Sequence, residues 1–189
     1  MKTLLVYGHL ISACIAVGAI LMQDLELWTH KKKALTKNVL LQLAQAQTTV
    51  TWTLVFLWIT GLALVALGYI NQPEVYLTNQ KLWVKFAVVI ALTINGFVLH
   101  HYSLPKLKEG VVIAAMPARD SIPLTLTGAI SIVSWLYACF LGIARPWNYT
   151  LDFGSIFGVY LAILIVSCIV GLQIMKLGRS VTLDSPTNA

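Results

Sequence analysis

Five long apolar segments, separated by short polar ones, make up most of this 189-residue chain. Each has about the 20 residues that a helix needs to cross the ~30 Å hydrocarbon layer of a bilayer. The pattern therefore predicts an all-α protein, a polytopic membrane helical bundle with five transmembrane helices. The predicted spans cover approximately residues 3–23, 48–70, 82–101, 124–144 and 153–175.

A shorter apolar pattern lies just before the second span. Leu35, Val39 and Leu43 recur at helical spacing among glutamines. This stretch is either a helix on the membrane surface or an extension of the second span beyond the membrane. The sequence leaves both interpretations open.

Composition supports a membrane protein. Hydrophobic residues make up 58% of the chain, charged residues only 11%, and the mean hydropathy is +0.81. A globule of this length cannot bury that much apolar surface, so we expect residues 1–189 to form a single integral membrane domain whose main partner is the lipid bilayer. The net charge of +6 comes from short loops, and we expect no nucleic-acid partner.

Polar residues concentrate in the third span, which carries Lys85 in its first turn, Asn95 in its middle, and His100 and His101 at its far end. Polar groups at membrane depth usually face a protein partner or a water-filled cavity. We therefore expect this helix to lie at the centre of the bundle, and we expect Pro105 to end it.

Two other spans carry faces of small residues. In the first, Gly8, Ser12 and Ala16 recur at helical spacing beside His9, a pattern that lets another helix approach closely. His9 is either a histidine hydrogen-bonded between helices or a ligand or proton-handling group. In the fourth span a hydroxyl face is formed by Thr127, Ser131 and Ser134.

The basic residues predict an orientation. With the first loop in the cytoplasm, nine Lys and Arg lie inside and four lie outside, which favours an outside N-terminus and a cytoplasmic C-terminus. The nine are Lys31, Lys32, Lys33, Lys37, Lys106, Lys108, Arg119, Lys176 and Arg179; the four are Lys2, Lys81, Lys85 and Arg145.

This orientation converts sequence positions into depths. At ~1.5 Å per residue, His9 lies roughly 8 Å and Lys85 roughly 5 Å below the outer edge, whereas His100 lies about 27 Å below it. The candidate cofactor-binding residues are therefore His9 and Lys85 with Ser12 near the outer surface, and the Asn95 amide deeper in the third span. Alternatively, Lys85 extends to the outer headgroups.

His100 and His101 are the candidate metal ligands near the opposite surface. Adjacent helical residues point about 100° apart, so the two histidines do not form a chelating pair on their own. The alternative is that they are interfacial histidines that face the headgroups.

The third span resembles that of small bacterial inner-membrane proteins of uncharacterised role, which share an L-W-x-K…L-T-x-N-G…H…P pattern. The matching residues here are Leu82, Trp83, Lys85, Leu92, Thr93, Asn95, Gly96, His100 and Pro105. The resemblance covers about a third of the chain. It implies location in the bacterial inner (plasma) membrane.

Together with His9-Leu10-Ile11 and Gly18, the same span distantly resembles two further families. HemJ-type protoporphyrinogen oxidases imply haem b as a cofactor, with His9 at the position of their haem-associated histidine and Lys85 at that of their lysine. The first span departs from that family, since it continues VGAILMQDLELW without the expected tryptophan, tyrosine and arginine. CopD-like copper-resistance domains imply copper handling, but the methionines here are scattered.

No catalytic constellation is identified in the sequence, and a non-enzymatic role is favoured. The leading hypothesis is a multi-pass inner-membrane protein that acts as a subunit or handles a small solute at a polar site between the first and third spans. It would act as a homo-oligomer or with a membrane partner subunit. The alternatives are a haem- or porphyrin-linked oxidoreductase and a copper permeation or resistance protein.

Overall fold

The computed structural model describes the backbone of residues 2–183 and the side chains of residues 2–177. This part of the chain is helical and contains no β-sheet, which confirms the all-α prediction. The helices are α1 (Lys2–His30), α2 (Lys37–Asn71), α3 (Pro73–Tyr76), α4 (Gln80–Val98), α5 (Ala118–Ile143) and α6 (Phe153–Leu183). A π-helical turn (Leu99–Ser103) and a 3-10 turn (Leu104–Lys106) extend α4, and further 3-10 turns lie at Ile113–Ala115 and Arg145–Trp147.

Five helical segments are long and apolar enough to cross a membrane, as the sequence predicts. They are Lys2–His30, Lys37–Asn71, Gln80–Lys106, Ala118–Ile143 and Phe153–Leu177. Each contains one predicted span, apart from Ala144, which lies one residue beyond α5. Helices α1 and α4 both end on the same side of the bundle, which we call the His100 end. The opposite side is called the His9 end.

The stretch before the second span is an extension of α2 and not a separate surface helix. Its apolar stripe packs on the loop that follows α4, and this cluster consists of Leu35, Val39, Leu43, Leu107 and Met116. Backbone hydrogen bonds tie the two loops together: Leu35 N–H donates to Val111 O and Gly110 N–H donates to Leu35 O, both at 2.9 Å. Gly110 adopts φ +83°, a conformation that favours glycine. The His100 end is therefore closed by protein.

The centre of the bundle is α5, and the expectation that the third span lies there is wrong. Helix α5 packs against α1, α4 and α6, whereas α1 otherwise packs along α2. The hydroxyl face of the fourth span explains this placement, because Thr127 and Ser134 are both buried. The main apolar cluster joins α4, α5 and α6 through Val84, Val88, Val133, Tyr137, Leu141, Ile156 and Tyr160.

Hydrogen bonds join α5 to α6 inside this cluster. The Ser134 and Tyr160 hydroxyls lie 2.9 Å apart, and Tyr137 donates its hydroxyl proton to Ile156 O at 2.5 Å. At the start of α6, the Ser155 hydroxyl and N–H both donate to the Asp152 carboxylate, at 2.6 and 2.9 Å. These bonds hold the pKa of Asp152 below its ordinary value and satisfy a free N–H of the first turn.

Two side chains of α4 bond to α5 or to its C-terminal end. Asn95 Nδ2 donates to Thr127 O at 2.9 Å, and Lys81 Nζ donates to Ala144 O at 2.7 Å. Both residues are buried, with 6% and 4% of their surface exposed. Because hydrocarbon offers no hydrogen-bond partner, these contacts favour one arrangement of α4 against α5.

We expect Asn95→Ala to lower the free energy of unfolding by about 1–2 kcal/mol, because it removes a buried bond between helices and leaves a small void. Unfolding by SDS in mixed micelles, followed by circular dichroism, measures the change. Ile94→Ala is the matched control, since Ile94 is exposed on the neighbouring position. An equal effect of the two substitutions would contradict a linking role for Asn95.

Candidate functional site

A cavity of about 1050 Å³ lies among α1, α2, α4, α5 and α6 in the half of the bundle nearer the His100 end. Its walls come from the C-terminal part of α1, from α2, α4, α5 and α6, from the turns that extend α4, and from Ile113 and Ala114 in the loop before α5. The walls are mainly apolar. The polar side chains that line it are Gln23, Asp24, Lys31, Gln47, Thr51, Thr93, His100, His101, Ser121, Thr125, Ser131 and Ser167.

Small residues in the walls leave this space open. Gly96 on α4 and Gly128 on α5 both line the cavity, and a Cβ atom added at either would meet nothing within 4 Å. Ala129 adds a further small side chain. These small residues therefore add to the open space beside larger lining side chains of the same two helices, such as Phe97 and Trp135.

The cavity reaches the outside of the bundle, because several of its lining residues are also exposed there. They include Thr51 on α2, Phe97 on α4 and Val166 on α6. Two hydrogen bonds link α2 to α4 beside the cavity: Trp58 Nε1 donates to Thr93 Oγ1 at 3.1 Å, and Gln47 Nε2 donates to His100 Nδ1. The exposed side of the cavity faces the hydrocarbon of a surrounding bilayer.

Asp24 is the carboxylate of the cavity wall. It is half-buried on α1, and among the residues that the structure describes it has no hydrogen-bond or ion-pair partner. Glu26, two residues further along, does have a partner, since it lies 3.4 Å from His30 Nδ1. Asp24 is therefore the carboxylate of the cavity wall whose charge is not paired within the described residues.

Lys31 also lines the cavity, but its charge is directed elsewhere. Its Nζ lies over the Trp28 ring, 3.2 Å from the ring centroid. It lies seven positions after Asp24, which corresponds to a rise of roughly 10 Å along a helix. Lys31 is therefore not a counter-ion for Asp24 in this arrangement.

The two predicted metal ligands, His100 and His101, lie in the π-helical turn, a local geometry that often accompanies functional sites. Both line the cavity, and their rings meet edge to face with centroids 4.8 Å apart. His101 stacks on Phe97 and donates from Nδ1 to Phe97 O at 3.0 Å. Within residues 2–183 no group of three His, Cys, Asp or Glu side chains comes together to hold a metal ion.

His9 lies between α1 and α2, at the opposite end from the cavity. Its Nδ1 lies 2.7 Å from Thr60 Oγ1, and Thr60 in turn donates to Phe56 O at 2.8 Å. When Thr60 donates in this way, His9 Nδ1 carries the proton and Nε2 is the free acceptor. A Cβ atom at Gly61 would lie 3.5 Å from His9 Cε1, so this glycine helps α2 to approach the imidazole.

The other predicted cofactor-binding residues are dispersed. Lys85 is half-buried and lies close enough for its charge to act on His9, but no hydrogen bond joins the two. Ser12 donates to Gly8 O within its own helix at 2.9 Å, and Asn95 donates to α5. None of the four predicted residues lines the cavity.

Sequence reasoning missed Asp24 and Gln47 as site residues. The first predicted span ends at residue 23, which places Asp24 in a loop, whereas α1 continues to His30. Gln47 lies in the α2 extension, whose glutamines indicated a polar side of a helix but no binding site. The available signal was the position of each residue next to an apolar span, within reach of the bundle.

The fold and its apolar helices define this chain as a multi-pass α-helical membrane protein. Comparison with protein-family models, with curated proteins and with solved structures gives no match.

The contact between His9 and Thr60 predicts energetic coupling between α1 and α2. We expect Thr60→Val to lower the free energy of unfolding by about 0.5–1.5 kcal/mol in the wild-type background, because it removes the hydroxyl that bonds the imidazole. The cost should be smaller in the His9→Ala background. Unfolding of the two single variants and the double variant in SDS mixed micelles completes a double-mutant cycle. Strictly additive losses of unfolding free energy would contradict the coupling between His9 and Thr60.

Proposed function

We propose that this protein binds a small amphipathic molecule in the cavity among α1, α2, α4, α5 and α6. The observation that carries the proposal is the cavity itself, whose volume of about 1050 Å³ is at the upper end of the range typical of small-molecule sites. Such sites are mostly apolar with a few placed polar groups. Here those groups include Asp24, Gln47 and His100.

The position of the opening supports a ligand dissolved in the membrane. A molecule that enters through the exposed side of the cavity comes from the side of the bundle, where lipid lies. Its apolar part packs against the walls, and its polar part meets Asp24, Gln47 and His100. The role that fits is small-solute handling in the bilayer, by this chain alone, as a homo-oligomer or with a membrane partner subunit.

The charge distribution supports a location for the site. With nine basic residues on one side and four on the other, the His100 end is the cytoplasmic end and the N-terminus is outside. In a bacterial inner membrane, the cavity then opens toward the inner leaflet. Reporter tags on each terminus test this orientation, and a cytoplasmic N-terminus would overturn it.

We expect a bulky side chain in the cavity to weaken ligand binding. The probe is triphenylphosphine oxide, a neutral amphipath, measured by equilibrium dialysis against protein in detergent with protein-free micelles subtracted. The double variant Gly96→Trp/Gly128→Trp should bind about 10-fold more weakly than wild type, since the indoles occupy ligand volume (~1.4 kcal/mol).

The matched control is Gly142→Trp/Gly158→Trp. Both of these glycines are exposed, have nothing within 4 Å of an added Cβ atom and lie outside the cavity. Thermal unfolding of both double variants reports whether each is folded. Equal probe affinity in wild type, cavity variant and control, or no saturable binding at all, would overturn the proposal.

Haem b is the cofactor implied by the resemblance to HemJ-type oxidases, and it stays a prediction with its own test. If His9 holds haem, protein purified from haem-replete cells should show a Soret band that disappears in His9→Ala. The free Nε2 of His9 is the atom that would bind the iron. A colourless protein, with no iron or copper by metal analysis of the same sample, would contradict both the haem and the copper hypotheses.

A further inference from the structure

The cavity wall combines apolar surface with an unpaired carboxylate. Four titratable side chains line it: Asp24 on α1, Lys31 in the turn directly after α1, and His100 and His101 after α4. Lys31 lies on the Trp28 ring, His100 accepts from Gln47, and His101 donates to Phe97 O. Within the described part of the chain, Asp24 is the member of this set without a partner.

An anionic carboxylate in such surroundings is costly unless something compensates its charge. Within the described residues no polar atom supplies the compensation, and Lys31, which follows α1, is directed to an aromatic ring roughly 10 Å along the helix axis. A bound ligand can supply it, because the carboxylate lies in the wall of a cavity large enough for one. Aromatic side chains in the same cavity wall, including Trp28, Phe97 and Trp135, suit the body of a lipophilic cation.

We propose that Asp24 selects ligands that carry a positive charge, so that the natural ligand is a lipophilic cation such as an amphipathic amine. This inference rests on the proposed function, since it names the class of molecule that the same cavity binds. The carboxylate forms an ion pair with the cationic group, and the apolar walls cover the rest of the molecule.

Two probes of similar shape and opposite charge test the selection. Tetraphenylphosphonium and tetraphenylborate, with neutral triphenylphosphine oxide as the reference, are measured by equilibrium dialysis on the full chain in detergent, with protein-free micelles subtracted. We expect wild type to bind tetraphenylphosphonium more tightly than tetraphenylborate. Asp24→Asn should weaken tetraphenylphosphonium binding about 10-fold or more, and leave triphenylphosphine oxide binding unchanged.

Glu26→Gln is the matched control. It removes the same charge from the same helix, two residues away, at a position that does not line the cavity. If Glu26→Gln binds tetraphenylphosphonium as tightly as wild type does, a local contact between the probe and Asp24 is supported. If both variants lose the same affinity, the loss is due to net charge alone and the inference is overturned.

The outcomes separate this inference from the proposed function. If triphenylphosphine oxide binds wild type saturably but Asp24→Asn binds tetraphenylphosphonium as wild type does, the cavity is a binding site and the charge selection is wrong. If none of the three probes binds wild type, the proposed function itself fails. Thermal unfolding of Asp24→Asn, together with its retained affinity for the neutral probe, shows that a loss is not due to misfolding.

Discussion

The requirement that polar groups inside a bilayer find partners within the protein determines how these helices pack. Helix α5 meets it with its own hydroxyl groups, which bond to α6, and with the backbone carbonyl of Thr127, which accepts from α4. Ser134 pairs with Tyr160, and Asn95 reaches Thr127 O. Lipid competes with protein for apolar surface but offers nothing to these groups, so the hydrogen bonds specify which faces meet.

Asp24 does not meet the same requirement within the described residues. Most buried polar side chains in this bundle bond to a neighbouring helix or to a carbonyl one turn back, as Thr60 does with Phe56 O. Asp24 instead lies in the wall of a cavity without a partner in the described chain. The proposed selection of cationic ligands rests on this placement of Asp24 in the cavity wall.

Sequence reasoning grouped His9, Lys85, Ser12 and Asn95 as candidate cofactor-binding residues and kept His100 and His101 apart from them, and the structure gives these residues different neighbours. Asn95 lies between α4 and α5, His9 contacts Thr60 on α2, and His100 lines the cavity beside Gln47. Spacing along one helix gives the depth of each residue but not the neighbour it faces. Lys81 shows the same limit of spacing as a guide to neighbours. It lies just outside the predicted third span, yet it is buried and its Nζ donates to Ala144 O.

The sequence by itself determined the class of protein and the number of spans, because five runs of about 20 apolar residues have no stable place except across a bilayer. It also indicated the hydroxyl face of α5. Only the tertiary structure decided which helix is central, that the α2 extension packs on the loop after α4, and where the cavity lies. The physical reason is that lipid and protein interior are equally apolar, so hydrophobic periodicity does not distinguish the face that meets a helix from the face that meets lipid.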